Sequence, residues 1–477
     1  MSLEIRPLAL QGGPRDVFSR LRERRRIALL ESAQLMPGLA AWSYIAGPAP
    51  GLLETRGDLT TLSINGSVIK RWQDPFRALA EVLGRLRIST GDAAGESGNG
   101  PEFSGGLVGY LAYDLVRAIE RLPARLAANP ALPEMRLLLA DHVLAYEHAR
   151  NRWSMTSLDL PWTDATQRRR AWQATLEQAG TVGRATPESD FKAGVLASRT
   201  PAAQYLADVA RCIEYIRAGD IFQVNLSHRL EGGFEGDPFA LYQALAAANP
   251  APFGAYIEGD EGALASLSPE RFLKLARSSV EARPIKGTRA RSPEPQEDAR
   301  QRALLAASDK DRAENLMIVD LMRNDLGRVA RIGSVRVDEL WKIEAHPSVW
   351  QMVSSIRAEL RDGVGPAELV RACWPPGSMT GAPKVRAMQI IEELEPVRRG
   401  PYAGAIGYFD VRGGMDLSVV IRTALCAAAR VMLQLGGAVV ADSRPEDELE
   451  ESLAKGRLLM RALGADSGAS GREKQER

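Results

Sequence analysis

The chain has 477 residues, of which 45% are hydrophobic and 25% charged, and its formal net charge is +1. These proportions are those of a soluble globular protein, and the length favours two domains over one core. The near-neutral charge gives no indication of binding to nucleic acid or to a membrane surface. No apolar run approaches the roughly 20 residues that a membrane-spanning helix needs. Three isolated cysteines and a polar N-terminus without an apolar signal core favour a cytoplasmic protein.

The first part of the chain is predicted to mix strands and helices. Residues 27–30 form an apolar run before Glu31 and Ser32, which predicts a strand followed by a turn. Residues 59–64 alternate in polarity and precede Asn-Gly, a pair typical of a β-turn. Residues 181–192 carry turn and charged residues without apolar periodicity, so we place a domain boundary near residues 185–195.

The second part opens with a predicted helix over residues 201–218, which ends at Gly219. Its predicted buried stripe has spacings of three and four residues and consists of Ala203, Leu206, Ala210, Ile213 and Ile216. Residues 222–230 then alternate as a strand.

Lys286 lies in the segment RPIKGTR, between an apolar residue and a glycine. If Pro284 and Ile285 close a half-buried strand, the lysine points off its end into a cleft. Burial lowers the pKa of a lysine, and a neutral amine is a nucleophile. Taken alone, the heptapeptide is equally compatible with a solvated lysine at a strand end.

The segment GSMTGAPK, residues 377–384, is a glycine-rich turn that leads directly into a predicted helix. Backbone N–H groups at such a helix start bind anions, and Thr380 and Lys384 add a hydroxyl and a positive charge. The register of a nucleotide-binding P-loop is absent, so a carboxylate is as reasonable a ligand as a phosphate. A well-capped helix without a ligand is the alternative.

Two predicted helices carry acidic residues toward the interior. Glu314 shares a helix face with apolar residues, and Ser308 is placed to cap that helix. Glu448, Glu451 and Lys455 share one face of a second helix. An unpaired buried carboxylate is costly, so such groups are protonated, paired or bound to a metal ion. Simple stabilisation of the helix N-termini is the alternative for each glutamate.

Arg422 interrupts an apolar strand, and a buried arginine needs a bidentate anion or an internal partner such as Asp416. Residues 436–438 (GGA) permit close approach of a ligand to the backbone, or they form a hairpin. Glu270 in SLSPERF is a candidate acid, although by itself it is equally compatible with a surface or salt-bridged glutamate. The four histidines show no metal-ligand spacing.

Taken together, these segments resemble the chorismate-utilising enzymes. The similarity runs in order along residues 200–460 through SLSPERF, PIKGTR, ENLMIVDLMRNDLGR, PPGSMTGAPK, RGPYAGAIGYFD, DLSVVIRTAL and DELEESLAKG. The resemblance implies an α/β fold of the α+β type, with two large, mostly antiparallel β-sheets packed as a sandwich and helices outside. It also divides the chain into an N-terminal region (residues 1–190), a chorismate-binding catalytic domain (residues 191–465) and a disordered tail (residues 466–477).

Within that family, PIKGT is similar to the branch that aminates chorismate at C4, because the anthranilate-forming branch carries alanine in place of Lys286. The resemblance implies that Lys286 attacks C2 of chorismate while Glu270 protonates the leaving C4 hydroxyl. It implies a Mg²⁺ ion held by Glu314 and Glu451, with Glu448 beside them. Ammonia would come from a separate glutamine amidotransferase subunit, and the product would serve 4-aminobenzoate and folate synthesis.

The resemblance also implies binding residues for the substrate and for an amino acid. The expected substrate-binding residues are Gly287, Thr288, Thr380, Tyr402, Arg422, Gly436, Gly437 and Lys455. The segments IALLESA and NPAPF are similar to an amino-acid pocket in the family, which predicts a pocket at Ser32, Pro250 and Pro252.

Two departures from the family pattern stand out. Gln351 occupies a position where many relatives have a histidine, and a glutamine cannot carry a proton at neutral pH. Ala438 replaces the last glycine of a triplet. Two alternatives stay open at this point: an anthranilate-forming enzyme and a non-catalytic, amino-acid-binding relative.

Overall fold

A computed structural model gives the structure of the chain. It describes residues 2–22, 26–36, 38–88, 100–123, 125–126, 132–181 and 190–464. The predicted disordered tail, residues 466–477, and the centre of the predicted linker, residues 182–189, lie outside the described residues.

The described ranges contain twenty-five strands. In chain order they are β1 (Leu3–Leu8), β2 (Ala28–Glu31), β3 (Trp42–Ala46), β4 (Gly51–Arg56), β5 (Leu59–Ile64), β6 (Ser67–Trp72), β7 (Gly106–Leu111), β8 (Met135–Ala140), β9 (His142–Glu147), β10 (Arg152–Leu158), β11 (Phe191–Ala193), β12 (Ala197–Ser198), β13 (Gln223–Gly236), β14 (Phe253–Gly259), β15 (Gly262–Ser268), β16 (Arg271–Ala276), β17 (Ser279–Arg283), β18 (Ile285–Ala290), β19 (Arg336–Ala345), β20 (Val349–Glu359), β21 (Gly381–Ala382), β22 (Ala405–Asp410), β23 (Met415–Val419), β24 (Thr423–Ala427) and β25 (Arg430–Val439).

Ten α-helices accompany these strands in the same ranges. They are α1 (Pro14–Leu21), α2 (Pro75–Leu86), α3 (Ala165–Thr181), α4 (Ala202–Arg217), α5 (Pro238–Ala248), α6 (Pro295–Ala306), α7 (Asp309–Gly327), α8 (Pro366–Cys373), α9 (Lys384–Leu394) and α10 (Pro445–Ala462).

The strands form two large antiparallel sheets. The first has thirteen strands in the order β1-β10-β9-β3-β2-β14-β15-β24-β25-β13-β11, with β12 and β21 also paired to β13. The second has twelve strands in the order β18-β20-β17-β16-β23-β22-β7-β8-β4-β5-β6, with β19 also paired to β20. The predicted fold class is therefore confirmed. Strands that precede residue 160 form a contiguous part of each sheet, so both parts of the chain share both sheets.

The two sheets pack face to face over an apolar layer. Strands of the first sheet contribute Tyr44 and Ile257 to this layer, and strands of the second contribute Tyr110 and Tyr408. The ring of Phe103 stacks on Tyr408 with centroids 4.6 Å apart. Full burial of each large side chain stabilises the fold by about 1.5–3 kcal/mol, so this layer fixes the relative position of the sheets. The helices pack on the outer faces of both sheets.

Helix α4 confirms the predicted helix, but the predicted buried stripe is only partly confirmed, because Ile213 is buried and Leu206 and Ile216 are half-buried. The residues that α4 buries are Tyr205, Asp208, Val209, Cys212 and Ile213. Of the predicted stripe, Ala203 and Ala210 are exposed. An alanine has little surface to bury, so the larger side chains one position away decide which face packs on β13.

Candidate active site

Lys286 lies near the start of β18, at an irregularity in its pairing with β20. Ile285 pairs with Val353 and Thr288 pairs with Gln351, so the register shifts between these two pairs. The expectation that Pro284 and Ile285 close a strand is wrong. The preceding strand β17 ends at Arg283, and β18 begins at Ile285. Proline has no N–H for a ladder hydrogen bond, which interrupts the strand there. A bulge of this kind redirects a side chain, here toward the cleft.

The amine of Lys286 is desolvated and carries no direct ion pair. Its Nζ donates a hydrogen bond to the carbonyl oxygen of Ser378 at 3.1 Å. No described carboxylate lies within ion-pair distance of this nitrogen. Burial lowers the pKa of Lys286, and Lys455 adds to that effect, while Glu314 and Glu270 oppose it. A lowered pKa increases the neutral, nucleophilic fraction of the amine.

Glu270 is buried between β15 and β16, with 5% of its surface exposed. Burial raises the pKa of its carboxyl group to about 7, although a hydrogen bond from Ser378 and the charge of Lys286 favour the ionised form. The surface or salt-bridged environment considered for this residue is absent in the described chain. A carboxylic acid that titrates near neutral pH suits general acid catalysis.

Arg422 occupies the connection between β23 of the second sheet and β24 of the first. Its backbone adopts a positive φ of 51°, and its carbonyl accepts a hydrogen bond from the Leu267 N–H at 3.2 Å. The suggested internal partner, Asp416, pairs instead with Arg271 at 2.8 Å. Burial lowers the pKa of Arg422, and Glu270 partly offsets this effect. Since no ion pair to a described residue engages it, this guanidinium is available for an anion.

In the segment 377–384, the expectation that Lys384 adds a positive charge to an anion site is wrong. Lys384 begins α9, but its Nζ bonds to Asp325 at 2.5 Å and to the carbonyls of Cys373 and Pro375. This lysine holds α9 against α7 and adds no charge to an anion site. Thr380 is fully buried, and its hydroxyl contacts the carbonyl of Gly377 at 3.2 Å.

Two helices bring carboxylates toward Lys286. The Ser308 side chain caps α7 by accepting a hydrogen bond from the Asp311 N–H, as predicted. Glu314 lies one turn farther along, and its nearest cation is Lys310 at 3.9 Å. From α10, Glu451 pairs with Lys455 at 2.8 Å near the solvent-exposed edge.

Glycine at position 437 allows α10 to approach β25. A Cβ placed on Gly437 would lie 2.8 Å from Oε2 of Glu448. The hairpin considered for residues 436–438 is absent, because these residues continue β25. Lys455 donates to the Gly436 carbonyl at 3.2 Å, which ties the helix to the strand.

The acidic residues fit a divalent cation. Burial raises the pKa of Glu314 and of Glu448, and Oε2 of Glu448 is buried without a hydrogen-bond partner. Buried carboxylates that no cationic side chain neutralises are suitable ligands for Mg²⁺. This ion typically binds one or two protein carboxylates and completes its coordination shell with water or substrate. No group of three or more metal-ligating side chains is present in the described part of the chain.

The remaining predicted binding residues differ in exposure. Tyr402 is buried, and burial raises the pKa of its hydroxyl to about 12. Thr288 is exposed on β18. Gln351, directly opposite Thr288 on β20, is buried, and its Oε1 has no hydrogen-bond partner.

A separate cavity of about 150 Å³ lies between the two sheets. Ser32 and Pro252 line it, whereas Pro250 is not among its lining residues. The hydroxyl of Ser32 donates to the Trp42 carbonyl at 2.7 Å.

The sequence comparison decides the family. Residues 60–461 match the family model described as chorismate binding enzyme. The chain belongs to the chorismate-binding enzymes.

Members of this family resemble the chain over most of its length. Aminodeoxychorismate synthase component 1 of Escherichia coli (strain K12) is 38% identical over 447 residues, which cover 94% of this chain and 95% of the relative. Anthranilate synthase component 1 of Thermus thermophilus is 40% identical over 84% of this chain and 85% of the relative. The crystal structure of anthranilate synthase component I from Streptococcus pneumoniae superposes with a TM-score of 0.75 and 26% identity, covering 89% of this chain and 93% of that chain.

One residue of this family site was missed by sequence reasoning. Ser378 touches both Lys286, through its carbonyl, and Glu270, through its hydroxyl. The GSMTG turn contains Ser378, but its sequence pattern gives Thr380 and Lys384 as the polar candidates and does not distinguish Ser378.

None of the helices in the described ranges combines the length and the apolar character needed to cross a membrane.

Proposed function

We propose that this protein is an aminodeoxychorismate synthase component I, which converts chorismate and ammonia into 4-amino-4-deoxychorismate. The observation that carries the proposal is that the desolvated amine of Lys286 and the carboxyl group of Glu270, whose pKa is about 7, both contact Ser378. A nucleophile and a proton donor that share one neighbour permit substitution at the ring with loss of a hydroxyl group.

In the first half of the reaction, the neutral amine of Lys286 forms a bond to C2 of chorismate. The ring double bonds shift, the C4–O bond breaks, and Glu270 supplies the proton with which the hydroxyl leaves as water. The hydrogen bond from Nζ to the Ser378 carbonyl supports this step, because it orients the amine without neutralising it.

In the second half, ammonia forms a bond to C4, the double bonds return, and the bond from C2 to Lys286 breaks. The proton lost by the incoming nitrogen goes to the carboxylate of Glu270, which restores the acid. The enolpyruvyl group remains on the ring, so no pyruvate is released.

Donor groups around the cleft would bind the two carboxylates of chorismate. Arg422 is the strongest candidate, since its guanidinium is engaged by no described carboxylate. Tyr402 and Thr380 would add hydroxyl groups. The backbone at residues 436–438 and at residues 287–288 would lie against the ring, and Lys455 would complement its charge.

Glu314 and Glu451 would hold Mg²⁺, with Glu448 beside them, and the ion would neutralise the ring carboxylate of the substrate. The raised pKa values of Glu314 and Glu448 support this assignment, because each carboxylate gains from an added positive charge. Asp311 and Lys310 flank Glu314 and adjust its charge.

Ammonia would come from a separate glutamine amidotransferase subunit. Cys212, Cys373 and Cys426 are all buried, and burial raises the pKa of each thiol, to about 12 for Cys426. A thiol of this kind is a poor nucleophile, so none of the three suits glutamine hydrolysis. The product would lead toward 4-aminobenzoate and folate.

The cavity between the sheets would bind a free amino acid. Ser32 and Pro252 line it, together with the charged residues Glu31, Glu102, Lys274 and Asp416. A panel of free amino acids in a thermal unfolding assay tests this assignment, and a Ser32→Phe variant that fills the cavity should abolish any stabilisation.

Anthranilate formation is the second candidate, because the anthranilate synthase relative is as similar in sequence as the aminodeoxychorismate synthase relative. The experiment that separates the two is incubation with chorismate, Mg²⁺ and ammonium, followed by mass analysis and a pyruvate assay. We expect an aminated product that retains its enolpyruvyl group. Fluorescent anthranilate with released pyruvate would favour the second candidate, and no turnover would favour a non-catalytic, amino-acid-binding relative.

A further inference from the structure

Strand β13 carries a row of buried polar side chains on one face. Gln223, Asn225 and Ser227 alternate along the strand, with 0%, 4% and 2% of their surfaces exposed. Ser227 is satisfied by Glu395 at 2.7 Å and by Gln434 at 2.9 Å. In contrast, Nδ2 of Asn225 has no hydrogen-bond partner. An unpaired buried amide destabilises the fold, so its presence on β13 calls for an explanation.

The backbone of Asn225 is fixed among groups already assigned to the substrate. Its N–H donates to the Thr380 carbonyl at 2.7 Å, and its carbonyl accepts from Nη2 of Arg399 at 2.6 Å. On the neighbouring strand β25, Asn225 stands opposite Ala438. Its side-chain amide also lies beside the hydroxyl of Tyr402 and favours the ionised form of that phenol, although the contact does not meet the geometry of a hydrogen bond. Residues from three separate segments that the sequence assigns to substrate binding, Thr380, Tyr402 and Ala438, therefore surround this amide.

The surroundings also indicate which part of the substrate this amide faces. The charged neighbours of Tyr402 are Arg399 and Glu395, which pair with each other at 2.6 Å. Neither acidic helix, α7 nor α10, contributes a charge there. The amide therefore lies among groups on which the charges of α7 and α10 do not act, as expected of a position that binds the second carboxylate of chorismate away from the proposed cation.

We propose that Asn225 is a substrate-binding residue whose free amide N–H donates a hydrogen bond to the enolpyruvyl carboxylate. This inference rests on the proposed function, since it takes chorismate as the ligand. The hydrogen bond would orient the enolpyruvyl group and thereby present C4 of the ring to ammonia. The fold already positions this amide. Its missing hydrogen bond destabilises the free protein, and bound substrate supplies that bond.

The test uses Asn225→Leu, which removes the amide with little change in volume, and Asn225→Asp, which places a negative charge at the same position. Binding of chorismate is measured by calorimetry with Mg²⁺ in a Lys286→Ala background, where substrate stays unreacted. Steady-state kinetics are measured in the otherwise unaltered chain. We expect Kd and KM for chorismate to rise at least tenfold for Leu and further for Asp, with KM for ammonium unchanged.

Thermal unfolding distinguishes binding from a structural role. Since Asn225→Leu removes an unpaired buried polar group, we expect its unfolding temperature to equal or exceed that of the parent. The control Gln434→Met removes a buried amide that is paired, so it should lower the unfolding temperature while leaving Kd for chorismate unchanged.

The outcomes separate this inference from the proposed function. Chorismate binding that weakens in both Asn225 variants supports the inference even if the parent protein makes a product other than aminodeoxychorismate. Amination by the parent with a Kd changed less than twofold in both variants would overturn the inference and leave the proposed function standing. If Asn225→Leu fails to fold, the amide is structural, and the inference is overturned as well.

Discussion

Gly287 lies so close to Asp311 that a Cβ added to the glycine would come within 2.9 Å of the Asp311 Cβ. This contact lets α7 approach β18, and it brings the carboxylate of Glu314 near the amine of Lys286. Gly287 also has a φ of 84°, which residues with side chains rarely adopt. The position of α7 relative to the amine of Lys286 therefore depends on the absence of a side chain at Gly287.

Gly287→Ala should separate the acidic helix from the nucleophile. Gly363→Ala is the matched control, since Gly363 has a φ of 82° but no atom within 4 Å of an added Cβ. Both variants should lose about 1–2 kcal/mol of unfolding free energy from the left-handed backbone. Only Gly287→Ala should also lose most of its chorismate turnover. Equal turnover in the two variants would show that the close approach is not needed.

The pH profile should report the carboxyl group of Glu270, whose pKa is raised to about 7. A general acid must be protonated, so kcat/KM should fall as pH rises above about 7. Glu270→Gln should lower kcat by roughly 10²–10⁴-fold and remove that basic limb. A variant that kept the limb would assign it to another group.

The free energy of unfolding should decrease with rising pH because of the same carboxyl group, that of Glu270. The folded-state pKa of Glu270 is raised above its ordinary value of 4.5, so the folded protein binds the proton more tightly than the unfolded chain. Its contribution to stability is therefore lost as pH rises from about 4.5 to 7. The difference in unfolding temperature, Glu270→Gln minus wild type, should therefore be more positive at pH 8 than at pH 4.5. The same difference at both pH values would contradict the raised pKa.

Lys286→Ala should reduce amination by at least about 100-fold, which corresponds to about 2.7 kcal/mol of transition-state stabilisation. Lys342→Ala is the matched control, because Lys342 is an exposed lysine of the same sheet, paired with Glu339 at 2.7 Å and with Glu344 at 3.8 Å. The control should retain wild-type turnover. Undiminished turnover in Lys286→Ala would refute covalent assistance by this residue.

Mg²⁺ should stabilise the folded protein through the acidic helices. At a Mg²⁺ concentration about 100 times its Kd, the unfolding free energy should rise by about 2.7 kcal/mol. Glu314→Gln should abolish most of this rise, whereas Glu446→Gln, an exposed residue in the first turn of α10, should preserve it. Thermal unfolding with and without Mg²⁺ measures the effect independently of turnover, and equal responses in both variants would place the ion elsewhere.

The sequence identified candidate site residues, but it did not predict how deeply each one is buried or which side chains surround it. The candidate roles of Lys286 and Arg422 come from the resemblance of their segments to the chorismate-utilising enzymes, and they stay predictions. The burial of Glu270 was not predictable from SLSPERF, and neither were the groups that act on its carboxyl group, Lys286, Ser378 and Arg422, because they are distant in sequence.

Long-range pairing also explains the expectation that failed at the start of α9. The sequence pattern shows that a helix starts near Lys384, but the lysine is captured by Asp325, which lies 59 residues away. In the same way, the free amide of Asn225 follows from the assembly of β13, β25 and the turn at residues 377–380. A single-chain pattern cannot reveal which buried amide is left without a partner.

The account depends most directly on a bond between Lys286 and the ring of chorismate. The decisive measurement is the mass of the protein, and then of its peptides, after incubation with chorismate and Mg²⁺ in the absence of ammonium. The account predicts an adduct with the mass of chorismate less one water, located on the peptide that contains Lys286 and absent in Lys286→Ala. An unmodified wild-type protein that nevertheless aminates chorismate when ammonium is added, or an adduct that persists in Lys286→Ala, would contradict it.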